Sequence, residues 1–131
     1  MPHECVFSAI PEMEAMQRKY GYADAAVAGG MVYLSGVVAF RFDDESEGQL
    51  EPGIVRAFER LGATLRGLGL DWQNVVAIDT FHLDRKADGD IFKEVKNRYI
   101  AEPFPAWTAI GTTDLGRPNA IVEIKLTAWR G

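Results

Sequence analysis

The segment AIVEIKLTAW at residues 120–129 constrains the fold more than any other part of the chain. Alternate side chains of a β-strand point to opposite faces, so the even positions from 120 to 128 place only apolar residues on one face. The odd face carries Glu123 and Lys125 at its centre and apolar residues, Ile121 and Trp129, at its ends. The pattern predicts a strand that packs on helices through one face. The other face suits an interface or a cleft better than open water.

A β-hairpin is predicted around Gly29-Gly30, with strands near residues 23–28 and 31–40. Glycine accepts the positive φ of a tight turn, and apolar, β-branched residues flank the pair. Ser35-Gly36 interrupts the second strand, which indicates a bulge or a close approach of another group to the backbone.

Residues 52–69 have the spacing of an amphipathic helix, with apolar residues three and four positions apart. Pro52 suits the first helical turn, and Gly67 and Gly69 suit a C-terminal cap. The apolar stripe of this helix comprises Ile54, Phe58, Leu61, Leu65 and Leu68.

A second helix is predicted from the spacing of Phe92, Val95 and Tyr99. Asp88 or Asp90 could cap its start, because a carboxylate accepts from the free N–H groups of a first turn. The prolines at 103 and 105 would prevent its continuation.

Three further strands complete the predicted order β-β-β-α-β-α-β-β: residues 75–84, a weaker one at 106–113, and a short one near Cys5 to Ala9. Two helices can cover only one face of such a sheet. The other face must be solvated or buried against further copies of the chain, and a closed ring would hide it. The sequence predicts one α+β domain over residues 1–131, with a two-layer arrangement.

Charge and composition exclude several classes of function. The net charge is −5 and the basic residues are scattered, whereas nucleic-acid binding needs clustered Lys and Arg, so no nucleic-acid partner is expected. No apolar run approaches the roughly 20 residues of a membrane span, and residues 1–10 lack the pattern of a signal peptide. With Cys5 as the sole cysteine, the expected location is cytoplasmic. His82 and His3 have no co-ligands in the sequence pattern, so no metal site is expected.

Five segments together resemble the Rid/YjgF family, from about Phe7 to Trp129. They are YADAAVAGGMVYLSG, in which Tyr22 precedes Ser35-Gly36 by thirteen residues, and VVAIDTFHLD, FKEVKNRYI, FPAWTAIG and IVEIKLTA. The resemblance implies a chorismate-mutase-like fold with a mixed, mainly antiparallel sheet. It also implies a homotrimer with small-molecule clefts between neighbouring subunits.

The resemblance further implies hydrolysis of reactive enamines or imines to 2-keto acids and ammonia, without metal or cofactor. In such deaminases a glutamate on the last strand positions water, and a tyrosine and a serine line the cleft. An arginine in a Pro-Ala-Arg motif binds the substrate carboxylate. The matching catalytic positions are Glu123, Tyr22 and Ser35. The implied substrate-binding positions are Gly36, Ala106, Trp107, Lys96 and Asn97, the last two sharing one aligned position.

Trp107 stands at the position that the resemblance aligns with the arginine, and Ala109 at that of a common cysteine. An indole offers one N–H and an apolar face instead of a charged, planar fork of donors. A desolvated carboxylate without a partner costs several kcal/mol, roughly. Either another cation takes the role or the ligand differs. The candidate cations are Lys96, which the resemblance places nearest the cleft, Lys125, which could instead pair with Glu123, Arg117 and Arg130.

Two functions remain open from the sequence. The first is a cofactor-free hydrolytic deaminase with an altered substrate. The alternative is a non-catalytic trimer that binds a small metabolite in an aromatic pocket walled by Trp107. Each of these residues also has a purely structural interpretation. Glu123 would then make an interface ion pair, Tyr22 and Ser35 would be ordinary hairpin residues, and Trp107 would pack in an interface. A ribonuclease activity, with which some family members are labelled, is disfavoured by the pI of about 5.0.

Overall fold

The computed structural model describes residues 3–131, and this part of the chain forms seven strands, three α-helices and one short 3-10 turn at Trp72–Asn74. The elements are β1 (Glu4–Val6), α1 (Pro11–Tyr20), β2 (Ala25–Ala28), β3 (Met31–Leu34), β4 (Val37–Phe40), α2 (Glu51–Gly67), β5 (Val75–His82), α3 (Arg85–Tyr99), β6 (Ala106–Gly111) and β7 (Ala120–Trp129).

The strands form one mixed sheet in the order β1-β2-β3-β7-β5-β6, with β4 also paired to β7. Only the β5–β6 pair is parallel among these strands; the other pairs are antiparallel. β3 and β4 follow one another along the same edge of β7, because the chain breaks its strand at Ser35-Gly36. The break confirms the interruption predicted there.

The face of β7 that was predicted to pack on helices is buried, and Val122, Ile124, Leu126 and Ala128 have no exposed surface. Its partners include the predicted stripe of α2, where Phe58 stacks on Tyr99 with ring centroids 5.1 Å apart. Burying one such side chain contributes about 1.5–3 kcal/mol to stability. α2 ends as predicted: Gly69 has a φ of +75°, and the N–H of Leu70 donates to the carbonyl of Leu65 over 2.9 Å.

One helix was not predicted, and the expectation of two helices is therefore wrong. α1 is mostly polar and buries only Gln17, so its apolar periodicity is weak. Its terminal signals are nevertheless in the sequence: Pro11 occupies the first turn and Gly21 caps the C-terminus with a φ of +81°.

The start of α3 also differs from the prediction. Asp84 caps the helix, since its carboxylate accepts from the N–H of Ala87 over 3.2 Å. Asp90 is exposed. Asp88 is buried and bonds to His82 instead. The helix begins three residues before Asp88 because its cap, Asp84, comes only two residues after the end of β5.

The sheet face opposite the helices is uncovered and partly apolar, as the alternation predicted. Tyr33, Val76, Ile110 and Trp129 are each between 42% and 56% exposed. Ile121 is an exception to the predicted alternation, because the register shifts opposite Ala39/Phe40 and turns this side chain into the core. No helix within residues 3–131 combines the length and apolar character that crossing a membrane requires.

Candidate active site

Four predicted site residues line one cavity of about 690 Å³. Tyr22 belongs to the loop between α1 and β2, Ser35 and Gly36 form the break between β3 and β4, and Glu123 lies on the adjacent β7. Residues from distant parts of the sequence therefore meet because β7 pairs with both halves of the interrupted strand.

The carboxylate of Glu123 lies directly against the backbone of Gly36. A Cβ at position 36 would overlap the Oε2 atom, so only glycine allows the carboxylate its present place. Within residues 3–131, no Lys, Arg or His side chain forms an ion pair with Glu123 within 4.0 Å. The carboxylate is partly exposed and keeps its lone pairs available for a water molecule or a ligand.

The hydroxyl proton of Ser35 is already engaged in a hydrogen bond within the protein. Its Oγ donates to the carbonyl of Ala23 over 2.6 Å, and its backbone N–H donates to the carbonyl of Asp24 over 2.9 Å. Both bonds hold the loop that carries Tyr22, which is 37% exposed at the cavity. Ser35 can still accept a hydrogen bond, so its place fits both the predicted site role and the plainer hairpin role.

Gln17 is a supporting residue that the sequence analysis missed. Its fully buried side chain accepts from the N–H of Ser8 over 3.0 Å and donates to the carboxylate of Asp24. These bonds tie α1 to the loop beside Tyr22. The capping signals of α1 would have placed this residue in a helix, although they do not identify its partners.

In the described part of the chain, two cations, Arg18 and Lys125, line the same cavity. Arg18 donates to Glu14 over 2.8 Å, and its guanidinium lies 4.2 Å from the ring centroid of Phe7. Lys125 is exposed and forms no ion pair within 4.0 Å in the described part of the chain. The predicted alternative, an ion pair between Lys125 and Glu123, is therefore wrong for the single chain.

The other predicted residues form a separate cluster beside the edge strand β6. Lys96 Nζ lies 4.6 Å from the ring centroid of Trp107 and donates to Asn97 Oδ1 over 2.9 Å. Burial lowers the pKa of the Lys96 ammonium, because a low-polarity environment disfavours its charged form. Ala106 is exposed on the same strand. None of these residues lines the cavity of Glu123.

A chain of buried hydrogen bonds runs inward from Trp107. Its indole N–H donates to Thr80 Oγ1 over 3.0 Å, and Thr80 Oγ1 lies 2.7 Å from His82 Nε2. His82 Nδ1 lies 2.8 Å from Asp88 Oδ1. Every donor in this chain has an acceptor when the imidazole proton is on Nδ1 and donates to Asp88, and the threonine hydroxyl donates to Nε2. Asp88 Oδ2 is the single buried side-chain N or O atom of residues 3–131 that lacks a partner.

The remaining candidates have structural surroundings. Arg117 lies over the ring of Phe40, 3.4 Å from its centroid, and Arg130 donates to the carbonyl of Gly29 over 3.1 Å. Cys5 is an exposed free thiol. Over residues 3–131, no three His, Cys, Asp or Glu side chains are grouped so that they could hold a metal ion.

Comparison with known proteins gives consistent matches. The family model described as endoribonuclease L-PSP matches residues 12–130. The RutC family protein YjgH of Escherichia coli (strain K12) is 30% identical over 115 residues, which cover 87% of this chain and 86% of the relative. A solved structure of the protein YJGH is 29% identical, covers 98% of this chain and 97% of its own, and superposes with a TM-score of 0.78.

A more distant structure shares the fold. Rv2704 from Mycobacterium tuberculosis, described as a member of the YjgF/YER057c/UK114 family, is 21% identical and has a TM-score of 0.78. The match covers 97% of this chain and 98% of Rv2704.

Proposed function

The chain belongs to the Rid/YjgF family, and on that premise we propose that it is a cofactor-free hydrolytic deaminase of a reactive enamine or imine. One observation carries the proposal. The carboxylate of Glu123, which forms no ion pair within residues 3–131, lies against the backbone of Gly36 in a cavity that Tyr22 and Ser35 also line. Addition of water to a C=N bond needs a base and a cavity that holds a small molecule beside it. Glu123 supplies the base, and Tyr22 and Ser35 line the cavity.

In the proposed reaction Glu123 acts as a general base. The imine reacts in its protonated form, the iminium ion. The Glu123 carboxylate takes a proton from water while the water oxygen bonds to the iminium carbon and the C=N π electrons move to nitrogen, which gives a neutral amino alcohol. The carboxylic acid then returns that proton to nitrogen, the C–N bond breaks, and ammonia leaves. Loss of the hydroxyl proton to solvent completes the carbonyl product. An enamine enters the same path after protonation of its carbon.

A homotrimer would complete this site. The edge cluster around Trp107 and Lys96 is distant in the sheet order from the cavity of Glu123, because β5 and β7 lie between β6 and the β3–β4 break. The uncovered sheet face exposes apolar side chains, including Ile110 and Trp129, that water solvates poorly. In a closed ring, the edge cluster of one subunit could face the cavity of its neighbour.

The part of the substrate beside Trp107 would differ from the part that arginine-bearing relatives bind with their arginine. Trp107 is 40% exposed, and its one polar group already donates to Thr80. The indole therefore has no donor left for a carboxylate and contributes an apolar surface. We expect the part of the substrate beside Trp107 to be apolar or aromatic.

The alternative function is a trimer that binds a metabolite without converting it. The specific observation in its favour is the same indole, whose N–H is satisfied internally while Lys96 approaches its ring. Such an aromatic surface beside a cation suits a flat, electron-rich ligand. In this case Glu123 would orient the ligand instead of activating water.

The experiment that separates the two functions measures imine hydrolysis directly. Imines are generated in situ by an amino-acid oxidase or an amine oxidase, and release of the carbonyl product is followed above the rate in buffer. The wild type should accelerate release, and Glu123→Gln should lose roughly 10²–10⁴-fold of that acceleration. Glu12→Gln, an exposed change on α1, is the matched control. If no imine is hydrolysed faster than in buffer, the deaminase proposal is wrong and binding remains.

A further inference from the structure

Among residues 3–131, Lys125 is a free cation on the cavity that contains the proposed general base. It is exposed, it lines the cavity together with Glu123, and it forms no ion pair within 4.0 Å in the described residues. Surface lysines next to acidic groups commonly pair with them. A lysine that stays unpaired on a concave surface is placed to bind an anion from solution.

The register of β7 fixes the relation between Lys125 and Glu123. Two positions separate them, so both side chains project from the same face with Cα atoms about 7 Å apart. Lys125 also lies opposite Asp79 on β5, but no ion pair joins them. A small molecule can therefore contact both groups at once, with its anionic end at Lys125 and its reacting carbon at Glu123.

The other cations near the two clusters are less available. Arg18 shares the cavity but is held by Glu14 and covers the ring of Phe7. Lys96 is buried, donates to Asn97 and does not line the cavity. Lys125 alone among these three combines exposure, freedom from an ion pair and a fixed position beside Glu123.

We propose that Lys125 is the anion-binding residue of this cavity and selects 2-imino acids over neutral imines. This inference rests on the proposed function, and it moves the anion anchor from the edge strand to β7. The α-carboxylate of the substrate pairs with the Lys125 ammonium. The adjacent imine carbon then lies next to the water that Glu123 activates, while the rest of the substrate extends toward the neighbouring apolar surface.

The first test measures the ratio of kcat/KM for a 2-imino acid to kcat/KM for a neutral imine. An amino-acid oxidase acting on a small amino acid supplies the former, and an amine oxidase acting on benzylamine supplies the latter. Lys125→Met should lower this ratio by about 10–100-fold, the usual effect of removing one charge-assisted contact. Lys125→Arg should restore most of it. Lys86→Met, an exposed change on α3, should leave the ratio at its wild-type value.

The proposal is overturned if Lys125→Met leaves the ratio unchanged, whether or not both rates fall. It is also overturned if Arg18→Met gives the selective loss instead. A wild type that hydrolyses neither imine ends the deaminase proposal, and a binding measurement then decides the question of Lys125. Lactate and lactamide, which differ in the charge of one group, are titrated into the protein by NMR. Lactate should shift the signals of the wild type more than lactamide does, and Lys125→Met should abolish that difference. Equal shifts in the wild type would contradict the anion site.

Discussion

The indole N–H of Trp107 donates to the hydroxyl of Thr80, with 3.0 Å between Nε1 and Oγ1. Thr80 has no exposed surface, and its hydroxyl also contacts the imidazole of His82 over 2.7 Å. The orientation of a half-exposed indole at the edge of the sheet is thus fixed by groups inside the core. Any change in this buried chain should alter both the stability of the protein and the surface that Trp107 presents.

Replacing Thr80 by valine should destabilise the protein by about 1–3 kcal/mol, although the two side chains have nearly the same shape. The substitution leaves His82 Nε2 buried without a donor and removes the acceptor of the indole N–H. The free energy of unfolding from urea titration measures the loss, and the emission of Trp107 in a Trp72→Phe, Trp129→Phe background reports its new environment.

The same change at Thr113 provides the control, because that threonine is exposed. Thr113→Val should change the free energy of unfolding by no more than about 0.5 kcal/mol. Equal stability of Thr80→Val and the wild type would mean that the buried hydroxyl contributes nothing net to folding.

Local periodicity predicted the parts of the fold that bury apolar residues. The alternation of β7 and the stripe of α2 correspond to the core face of the sheet and to the helix that covers it. The break at Ser35-Gly36 was also predictable, because glycine in a strand indicates a close approach, and the group that approaches is Glu123.

Features that depend on polar partners distant in sequence were not predictable in this way. α1 is held to the rest of the protein by the side-chain amide of Gln17 and not by buried apolar residues. Its sequence therefore shows no apolar stripe. The network from Trp107 to Asp88 joins residues from β6, β5 and α3, and no local pattern reveals such pairing. Asp88 was predicted as a helix cap because it lies just before the helically spaced apolar residues of α3. Its carboxylate instead bonds to the imidazole of His82.

Lys96→Met should raise the stability of the protein at neutral pH. The folded state holds the Lys96 ammonium among aromatic rings, and burial lowers its pKa below the ordinary value of 10.5. Its charged form is therefore less favourable in the folded chain than in the unfolded one, and wild-type stability rises as pH increases toward the unfolded pKa. Methionine keeps the volume and the helix propensity without the charge.

Thermal unfolding of the wild type and Lys96→Met across the range from pH 7 to about 10 tests this sign. The advantage of the variant should be largest near neutrality and should shrink as lysine loses its proton in both states. Lys93→Met, an exposed change one turn earlier on α3, should give no such pH-dependent difference. A variant that is less stable than the wild type at pH 7 would show that contacts with Trp107 outweigh the burial of charge.

Ile110→Lys should dissociate the proposed homotrimer. Ile110 is 48% exposed on the uncovered sheet face, and a lysine there would place an unpaired charge in the apolar interface that the trimer would form on this face. Size-exclusion chromatography with light scattering should give the trimer mass for the wild type and the monomer mass for the variant. Ile10→Lys is the control, since Ile10 is similarly exposed but lies beside α1, away from this face. A monomeric wild type would contradict the trimer itself.

Gly36→Ala should abolish most of the activity while leaving the fold intact. The backbone of Gly36 does not have a positive φ, so alanine is conformationally acceptable, and reduced flexibility of the unfolded chain favours equal or higher stability. The new methyl group, however, would occupy the place of the Glu123 carboxylate, which must move aside. A displacement of about 1 Å in a catalytic group costs on the order of 10²-fold in rate. Gly48→Ala has no atom within 4 Å of the added Cβ and should retain wild-type kcat. If Gly36→Ala is as active as the wild type, with an unchanged melting temperature, the reaction does not depend on the carboxylate where it now lies against the strand break.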